Sequence, residues 1–393
     1  MSLDILCTGT MTLYYRSIWP VAKRLIQDGH KIYMVKRGCF SESYIRDNPK
    51  AVTPLDDAAL RFICDLIGMD YSGIDKVRWI EENAPVIPAQ KGFHHVGNIF
   101  RKLGWKNFGS FDVVLSVNKC FSELSSFSNG KTVLVALPYQ NIPDIFISKD
   151  FSLAPQLSAE ADSLFSLRKS ALARTWFRSG LPFSDSLVHK KEHKNLHSGL
   201  RQRVLLLHPG GRRGVVSQDG DTYETCLANQ RALYEQALAL LPSGWTLGLK
   251  IHPLAAAWHD VATNQPICDA LGITLHPGDW PGKYIFAYDA IISLGSSLIF
   301  ENIGSGVPCF IASFLGGARE GYYSSLSEFY LESADELRRA LGNVHTYAIK
   351  ERQNKVLCEF RCDGLVTEDI VQKIYNFCEH KHTNEMHSIK NVF

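Results

Sequence analysis

The chain has 393 residues, 45% hydrophobic and 21% charged, which is long enough to bury sizeable cores without disulfide or metal staples and too apolar to be disordered. At roughly 150 residues per domain it has room for two or three domains. Lys plus Arg number 42 and Asp plus Glu 40, a formal charge of +2, which excludes the strong basic excess of a dedicated nucleic-acid binder and leaves room only for a local basic patch.

In chain order, residues 3–8 (LDILCT) read as a first strand that stops at Thr8-Gly9-Thr10. A helical stretch from about Tyr14 to Asp28 ends at Gly29, and KIYMVKRG is a second strand. This β-loop-α-β unit opens a parallel sheet with a right-handed crossover. Residues 41–105 are expected to be mostly helical. FDVVLSVN (111–118) and KTVLVALPY (131–139) are further strands. SAEADSLFSLRKSALARTWF (158–177) reads as a helix. GLPFSDSLVHKKEHKNLHSG (180–199) is polar, rich in His and Lys and without apolar periodicity, and reads as an interdomain linker.

A second α/β series starts at Arg203. RVLLLHP (203–209), TLGLKIHP (246–253), GITLHPG (272–278), YDAIISLGSS (288–297) and VPCFIAS (307–313) are strands. ANQRALYEQALALL (228–241) and LIFENIGSG (298–306) are helices, and a last helix from about Thr367 to Glu379 is expected to cross back to the first half. The pattern predicts an N-terminal Rossmann-like domain over 1–185, a linker over 186–202, a C-terminal Rossmann-like domain over 203–365, and a helix and tail over 366–393. In such sheets ligands bind outside the carboxyl ends of the strands.

The ten cysteines are scattered with no CxxC pair, and several sit in apolar runs such as VPCFIA. That is the usage of buried thiols in a reducing compartment, not of a disulfide framework or a zinc site. The opening MSLDILCTGT lacks the pattern of a secretory leader, and no run of about 18 apolar residues occurs, so the expectation is a cytoplasmic protein without a membrane span.

Four groups of polar residues follow strands of the second half. Gly210, Gly211 and Arg212 sit in His208-Pro209-Gly210-Gly211-Arg212-Arg213-Gly214, where open backbone N–H groups and two arginines suit an anion; the GK[ST] ending of a Walker loop and the GxGxxG pattern are both missing. Ser217 to Glu224 is an acidic loop containing Gln218, Asp219 and Asp221, without the remaining ligands of an EF-hand. Lys250-Ile251-His252-Pro253 ends a strand, and the proline holds the preceding backbone extended. Ser296-Ser297 precede a helix whose first turns carry Glu301, so the hydroxyls suit a cap, a phosphate or both.

The order of these groups resembles the nucleotide-binding half of GT-B glycosyltransferases. More narrowly, it resembles enzymes that use CMP-activated ulosonic acids: capsule-synthesis retaining β-Kdo transferases and, with fewer matches, bacterial sialyltransferases. The counterparts in the first are Gln218, Asp221-Thr222, Lys250 to Pro253, Ser296-Ser297 to Glu301 and Gly306; in the second they are Asp219-Gly220, His252-Pro253 and Ser296-Ser297. The resemblance covers residues 203–313. Gln-Asp-Gly stands where the sialyltransferase motif has two acids before Gly, and the Gly-Gly-Arg-Arg insertion is foreign to the capsule pattern.

The resemblance implies an α/β protein of the GT-B class, two Rossmann-like domains facing a cleft, that moves a sugar, Kdo from CMP-Kdo, onto a bacterial surface polysaccharide or lipid-linked acceptor. The nucleotide-sugar donor is then a substrate, with no cofactor and no metal; Asp219-Gly220-Asp221 does spell the DxD of metal-dependent transferases. Donor contacts would come from Gly210, Gly211, Arg212, Gln218, Lys250, His252, Ser296, Ser297 and Glu301. A retaining enzyme would use an aspartate as nucleophile, and an inverting one would use it as general base. The capsule alignment favours Asp221 and the sialyltransferase alignment Asp219. His252 would bind or protonate the departing phosphate, and Glu123, beyond FDVVLSVN in the other half, is the candidate partner acid or base. Alternatives are a sialyltransferase, a UDP- or GDP-sugar transferase or epimerase of the same fold, and a non-catalytic subunit of a polysaccharide assembly complex. A membrane contact would be peripheral, at the inner face of the cytoplasmic membrane, or made through a partner; no nucleic acid is expected as a partner.

Overall fold

The computed structural model describes residues 2–9, 14–36, 55–81, 111–117, 132–138, 144–148, 176–192, 202–208, 222–251, 261–277, 280–294, 298–315 and 329–379. These residues form two separate sheets, with strand orders β3-β2-β1-β4-β5-β6-β7 and β10-β9-β8-β11-β12-β13. The first comprises β1 (Asp4–Cys7), β2 (Lys31–Lys36), β3 (Arg78–Glu81), β4 (Val113–Val117), β5 (Val133–Leu137), β6 (Asp144–Ser148) and β7 (Trp176–Arg178). The second comprises β8 (Arg203–Leu207), β9 (Thr246–Lys250), β10 (Thr274–His276), β11 (Ala290–Ser293), β12 (Cys309–Ala312) and β13 (Tyr330–Leu331). In sequence the central strands are near-continuous apolar runs: VVLSV and VLVAL are buried at every position. That is what a parallel strand covered on both faces requires.

The second sheet is parallel throughout. The first is parallel from β3 to β5, but β6 runs antiparallel to β5 and β7 antiparallel to β6. The helices are α1 (Tyr15–Gln27), α2 (Asp57–Ile67), α3 (Asp185–Glu192), α4 (Tyr223–Leu240), α5 (Val261–Leu271), α6 (Leu298–Asn302), α7 (Ala334–Gly342), α8 (Tyr347–Glu359) and α9 (Val366–Glu379).

Three sequence expectations need correction. The region read as mostly helical contains α2, but Arg78–Glu81 is a strand paired in parallel with β2. The end of the helix expected over 158–177 is a strand instead, since Trp176 and Phe177 lie in β7; the rest of that stretch lies outside the described residues. The piece read as a linker without periodicity is folded at its start, with a 3-10 turn over Pro182–Ser184 running into α3. Leu181, Phe183, Leu187 and Val188 are buried there, four apolar residues whose signal the intervening His and Lys obscure.

Two cores result. One lies between the sheet of β8–β13 and α4, α5 and α7, with Leu206, Tyr234, Leu249, Cys268, Phe310 and Leu337 among its members. The other is continuous across both halves, joining Ile5, Trp19, Val113 and Val133 of the first to Leu207, Ile291, Phe300 and Ile311 of the second. The described cysteines are free thiols, and Cys7, Cys64, Cys226, Cys268 and Cys309 are buried.

Helix α9 leaves the second half and packs on α1, β5 and β6 of the first. Asp185, the first residue of α3, caps it from outside: its carboxylate accepts from Val366 N (3.2 Å) and Thr367 N (2.8 Å). Gly180, at φ +88°, leaves the room for this packing, since a Cβ there would stand 2.5 Å from the Phe360 carbonyl. Farther along α9, Glu368 accepts from Arg24 (2.6 Å), and the Tyr375 hydroxyl joins Asp28 and His30. No described helix is long and apolar enough to cross a membrane.

Candidate functional site

In each sheet the strand order reverses once, between β1 and β4 and between β8 and β11, and the crevice at the carboxyl end of such a reversal is the natural ligand position. The sequence groups singled out above leave the second sheet from that edge. Gly210 to Asp221 join β8 to α4, His252 follows β9, and Ser296-Ser297 join β11 to α6.

Register builds a row along this edge. His276 pairs with Lys250, Lys250 with Leu207, Leu207 with Ser293, and Ser293 with Ile311. Paired residues of a parallel ladder project to the same face, so three polar side chains share one row. Lys250 and Ser293 are completely buried. A lysine amine without solvent contact places hydrogen-bond donors just where the strands end.

The face of the row is identified by Gly248, two residues before Lys250. A Cβ on Gly248 would stand 2.0 Å from the Tyr288 hydroxyl, so the glycine makes the space that the phenol fills. Tyr288 Oη lies 2.5 Å from His276 Nε2, and Tyr284 stacks on the same imidazole at 3.9 Å and 12°. Burial pushes the Tyr288 phenol up to about 12, so it is protonated at neutral pH.

His208 turns the other way. Its backbone N–H donates to the Lys250 carbonyl (3.0 Å), while its ring is buried edge-on to Tyr234 of α4. It therefore belongs to the core under α4 and not to the row. The start of α4 carries the Thr222 cap, whose Oγ1 accepts from Thr225 N at 3.2 Å. Helix α4 begins five residues before the expected one, so Asp221 directly precedes its cap. Glu224 in the first turn is held below the usual carboxylate range by its own backbone N–H and by the Thr222 hydroxyl, as expected at a positive helix end. Tyr223, half exposed, reaches to within 3.4 Å of Thr263 on α5 and ties the two helix starts together.

Of the sequence-predicted site residues, Lys250 is described with its side chain. Glu301 lies in α6, a helix of five residues starting at Leu298, and its side chain lies outside the described set. Gly210, Gly211, Arg212, Gln218, Asp219, Asp221, His252, Ser296, Ser297 and Glu123 also lie outside the described residues. Among the described residues no group of three or more His, Cys, Asp or Glu is placed to hold a metal. His276 and Tyr288 were missed by the sequence reading. The signal was there: β8, β9 and β10 are each closely followed by a His-Pro pair or end in one, at 208–209, 252–253 and 276–277.

No protein-family model matches the chain, and no curated protein matches it. Solved structures do. A putative UDP-N-acetylglucosamine 2-epimerase from Listeria monocytogenes superposes with a TM-score of 0.57 at 12% identity, covering 97% of this chain and 98% of that one. UDP-GlcNAc 2-epimerase from Neisseria meningitidis, bound to UDP-GlcNAc, gives 0.52 at 10% identity over 95% and 100%. UGT89C1 from Arabidopsis thaliana, complexed with UDP-L-rhamnose, gives 0.51 at 10% identity over 95% and 99%. The fold is therefore that of the GT-B glycosyltransferases and sugar-nucleotide epimerases: two α/β domains, each built on a largely parallel sheet.

Proposed function

We propose that this protein is a glycosyltransferase that binds a nucleotide-sugar donor at the carboxyl edge of β8, β9 and β11. The observation that carries the reading is the buried Lys250 in a polar row beside the strand-order reversal, at the edge from which the glycine-rich, acidic, His-Pro and Ser-Ser segments all depart. A buried amine and the hydroxyl-bearing and glycine-rich segments that leave the same sheet edge suit a phosphate that takes on negative charge as it leaves.

The order of the motifs favours CMP-Kdo as donor and a bacterial surface polysaccharide or lipid-linked glycan as acceptor. In the retaining route, Asp221 or Asp219 attacks the anomeric carbon as the bond to CMP breaks; the acceptor hydroxyl then displaces the carboxylate and gives its proton to Glu123 as base. In the inverting route the same carboxylate takes the acceptor proton while the hydroxyl attacks directly. His252 receives the departing phosphate in both, and Glu123 is the partner from the other half.

A second reading has its own support. Two of the three similar structures named above are a UDP-GlcNAc 2-epimerase and a putative one, so epimerisation of a UDP-sugar is the alternative. The test measures CMP and UDP in a thermal-shift assay, then transfer from CMP-Kdo and CMP-sialic acid by wild type, Asp219→Asn and Asp221→Asn. The expected result is stabilisation by CMP, and loss of transfer with retained CMP binding in one variant. A covalent sugar adduct by intact mass assigns the retaining route. Stabilisation by UDP alone together with turnover of UDP-GlcNAc without transfer refutes the transferase reading in favour of the epimerase. Near-normal rates in both variants refute the acidic loop as the catalytic centre.

A further inference from the structure

The segment joining β10 to β11 touches both the first half of the chain and the polar row. At one end, Trp280 lies against Gly68, the glycine that ends α2 at φ +69°. A Cβ on Gly68 would stand 2.2 Å from the indole, and one on Gly282 would stand 2.3 Å from it, so two glycines from different halves make the slot the ring fills. Lys190 of α3 places its ammonium 5.7 Å from the ring centroid, and the neighbouring Ser186 hydroxyl donates to the Ile67 carbonyl just before Gly68. Three parts of the chain thus meet on one indole.

At the other end stand Tyr284 and Tyr288, the two rings that hold His276. Between the ends the backbone is braced by hydrogen bonds. Two successive 3-10 turns, Pro281–Lys283 and Ile285–Ala287, are closed by Lys283 N to Trp280 O (3.2 Å), Tyr284 N to Pro281 O (3.0 Å), Ala287 N to Tyr284 O (2.8 Å) and Tyr288 N to Ile285 O (3.1 Å). These bonds link Trp280 to Tyr284 and Tyr288 through consecutive turns. His276 pairs directly with Lys250, and its carbonyl accepts from Ile251 N (3.1 Å), the residue before His252.

We propose that Trp280 is a positioning residue for the nucleotide site: seated against Gly68 of the other half, it sets the place of His276 and the β9 end through the 280–288 segment, and nucleotide binding and this contact between halves are thermodynamically coupled. The inference rests on the nucleotide position proposed above. Coupling of this kind is reciprocal, so loosening the Trp280 seat weakens nucleotide binding by the factor by which nucleotide tightens the seat. Intermediacy in space is not itself coupling, so the test must measure it.

The experiment is calorimetric titration of the full chain with CMP and with UDP. Gly68→Ala drives a methyl into the indole, and Trp280→Ala empties the slot; each is expected to weaken nucleotide binding by about fivefold or more, with the double variant no worse than the poorer single. Trp280→Phe keeps a planar ring and is expected to stay within about twofold of wild type. Gly29→Ala is the strain control: Gly29 has φ +87° and open space around its Cβ position, so it carries the left-handed backbone penalty without the clash. Should Gly68→Ala not fold, the Trp280 pair decides. Wild-type affinity in Trp280→Ala, or equal weakening in Gly29→Ala and Gly68→Ala, overturns the inference while leaving the proposed function standing. A wild-type chain that binds neither nucleotide overturns the proposed site and this inference with it.

Discussion

Gly248→Ala gives a direct measure of how tightly the polar row is built. The added methyl would stand 2.0 Å from Tyr288 Oη, 2.5 Å from Cζ and 2.7 Å from Cε1, where ordinary contacts are about 3.5 Å. The phenol must retreat by roughly 1 Å or more, and with Tyr288 only 8% exposed there is little space to receive it. Overpacking of this kind costs about 1–3 kcal/mol. The displaced hydroxyl also loses its contact with His276, about 1 kcal/mol. Replacing glycine returns about 0.4–1 kcal/mol through the unfolded chain, which leaves a net loss of about 1–3.5 kcal/mol. Urea unfolding should show this as a midpoint lower by about 0.3–1.2 M for a slope of about 3 kcal/mol/M. Tyr288→Phe alone should lose only about 1 kcal/mol, the hydroxyl's share. Tyr288→Leu in the Gly248→Ala background should recover part of the loss, because the clash is with the ring. A Gly248→Ala protein within about 0.5 kcal/mol of wild type, or a loss that Leu at 288 fails to relieve, would refute the assignment of Tyr288 to the Gly248 gap.

Two further outcomes follow from the helix that crosses back. Asp185→Ala removes both acceptors from the start of α9 and should cost about 2 kcal/mol, while Asp185→Asn keeps one acceptor and should lose about half of that; faster hydrogen exchange along the first turns of α9 reads both, and unchanged exchange in the alanine variant rejects the cap. The asparagine is tolerated because burial already raises the Asp185 carboxyl above its ordinary value despite the N–H donors. His30 titrates in the opposite sense. Its Nδ1 accepts from Leu3 N (3.2 Å) and its Nε2 lies 3.0 Å from the Tyr375 hydroxyl, which also bonds Asp28. Burial is the largest influence on it and holds its folded value below the ordinary 6.5, so the folded state prefers the neutral ring. The stability it contributes is complete above about 6.5 and is lost as the pH falls through that value toward the lowered one. Urea midpoints from about pH 8 to 5 should decline, and His30→Gln should flatten that part of the slope; an unchanged slope counts against the assignment.

The strands were legible because parallel strands buried on both faces are written as apolar runs. RVLLL, TLGLK, AIIS and CFIA each announce themselves, and the turns after them fall at glycine, proline or small residues. The ends of those runs place the glycine-rich, acidic, His-Pro and Ser-Ser segments after strands at one sheet edge, where the proposed donor site lies. Segments with a weaker apolar signal were misread. Arg78–Glu81 is a strand of four residues with two charges, and it is recognisable only through its pairing with β2. Helix α3 buries Leu187 and Val188 in a His- and Lys-rich setting, so its burial depends on the 3-10 turn Ile303–Ser305 and on Gly364 before α9, which it meets.

Sequence by itself determined the α/β class, the two successive halves and which segments follow the strands at the second sheet's carboxyl edge, because each follows from local apolar periodicity and from the rule that strands of a parallel sheet end on the same side. Tertiary structure decided what local pattern does not encode. His208 and His276 look alike in sequence, each in a His-Pro pair at a strand end, yet one faces the core under α4 and the other faces Tyr284 and Tyr288. That difference is one residue of register, which turns a side chain to the opposite face of the sheet. Likewise Gly68 and Gly248 are ordinary glycines in the sequence; only the rings of Trp280 and Tyr288, brought in from 212 and 40 residues away, show that a side chain at either position would collide.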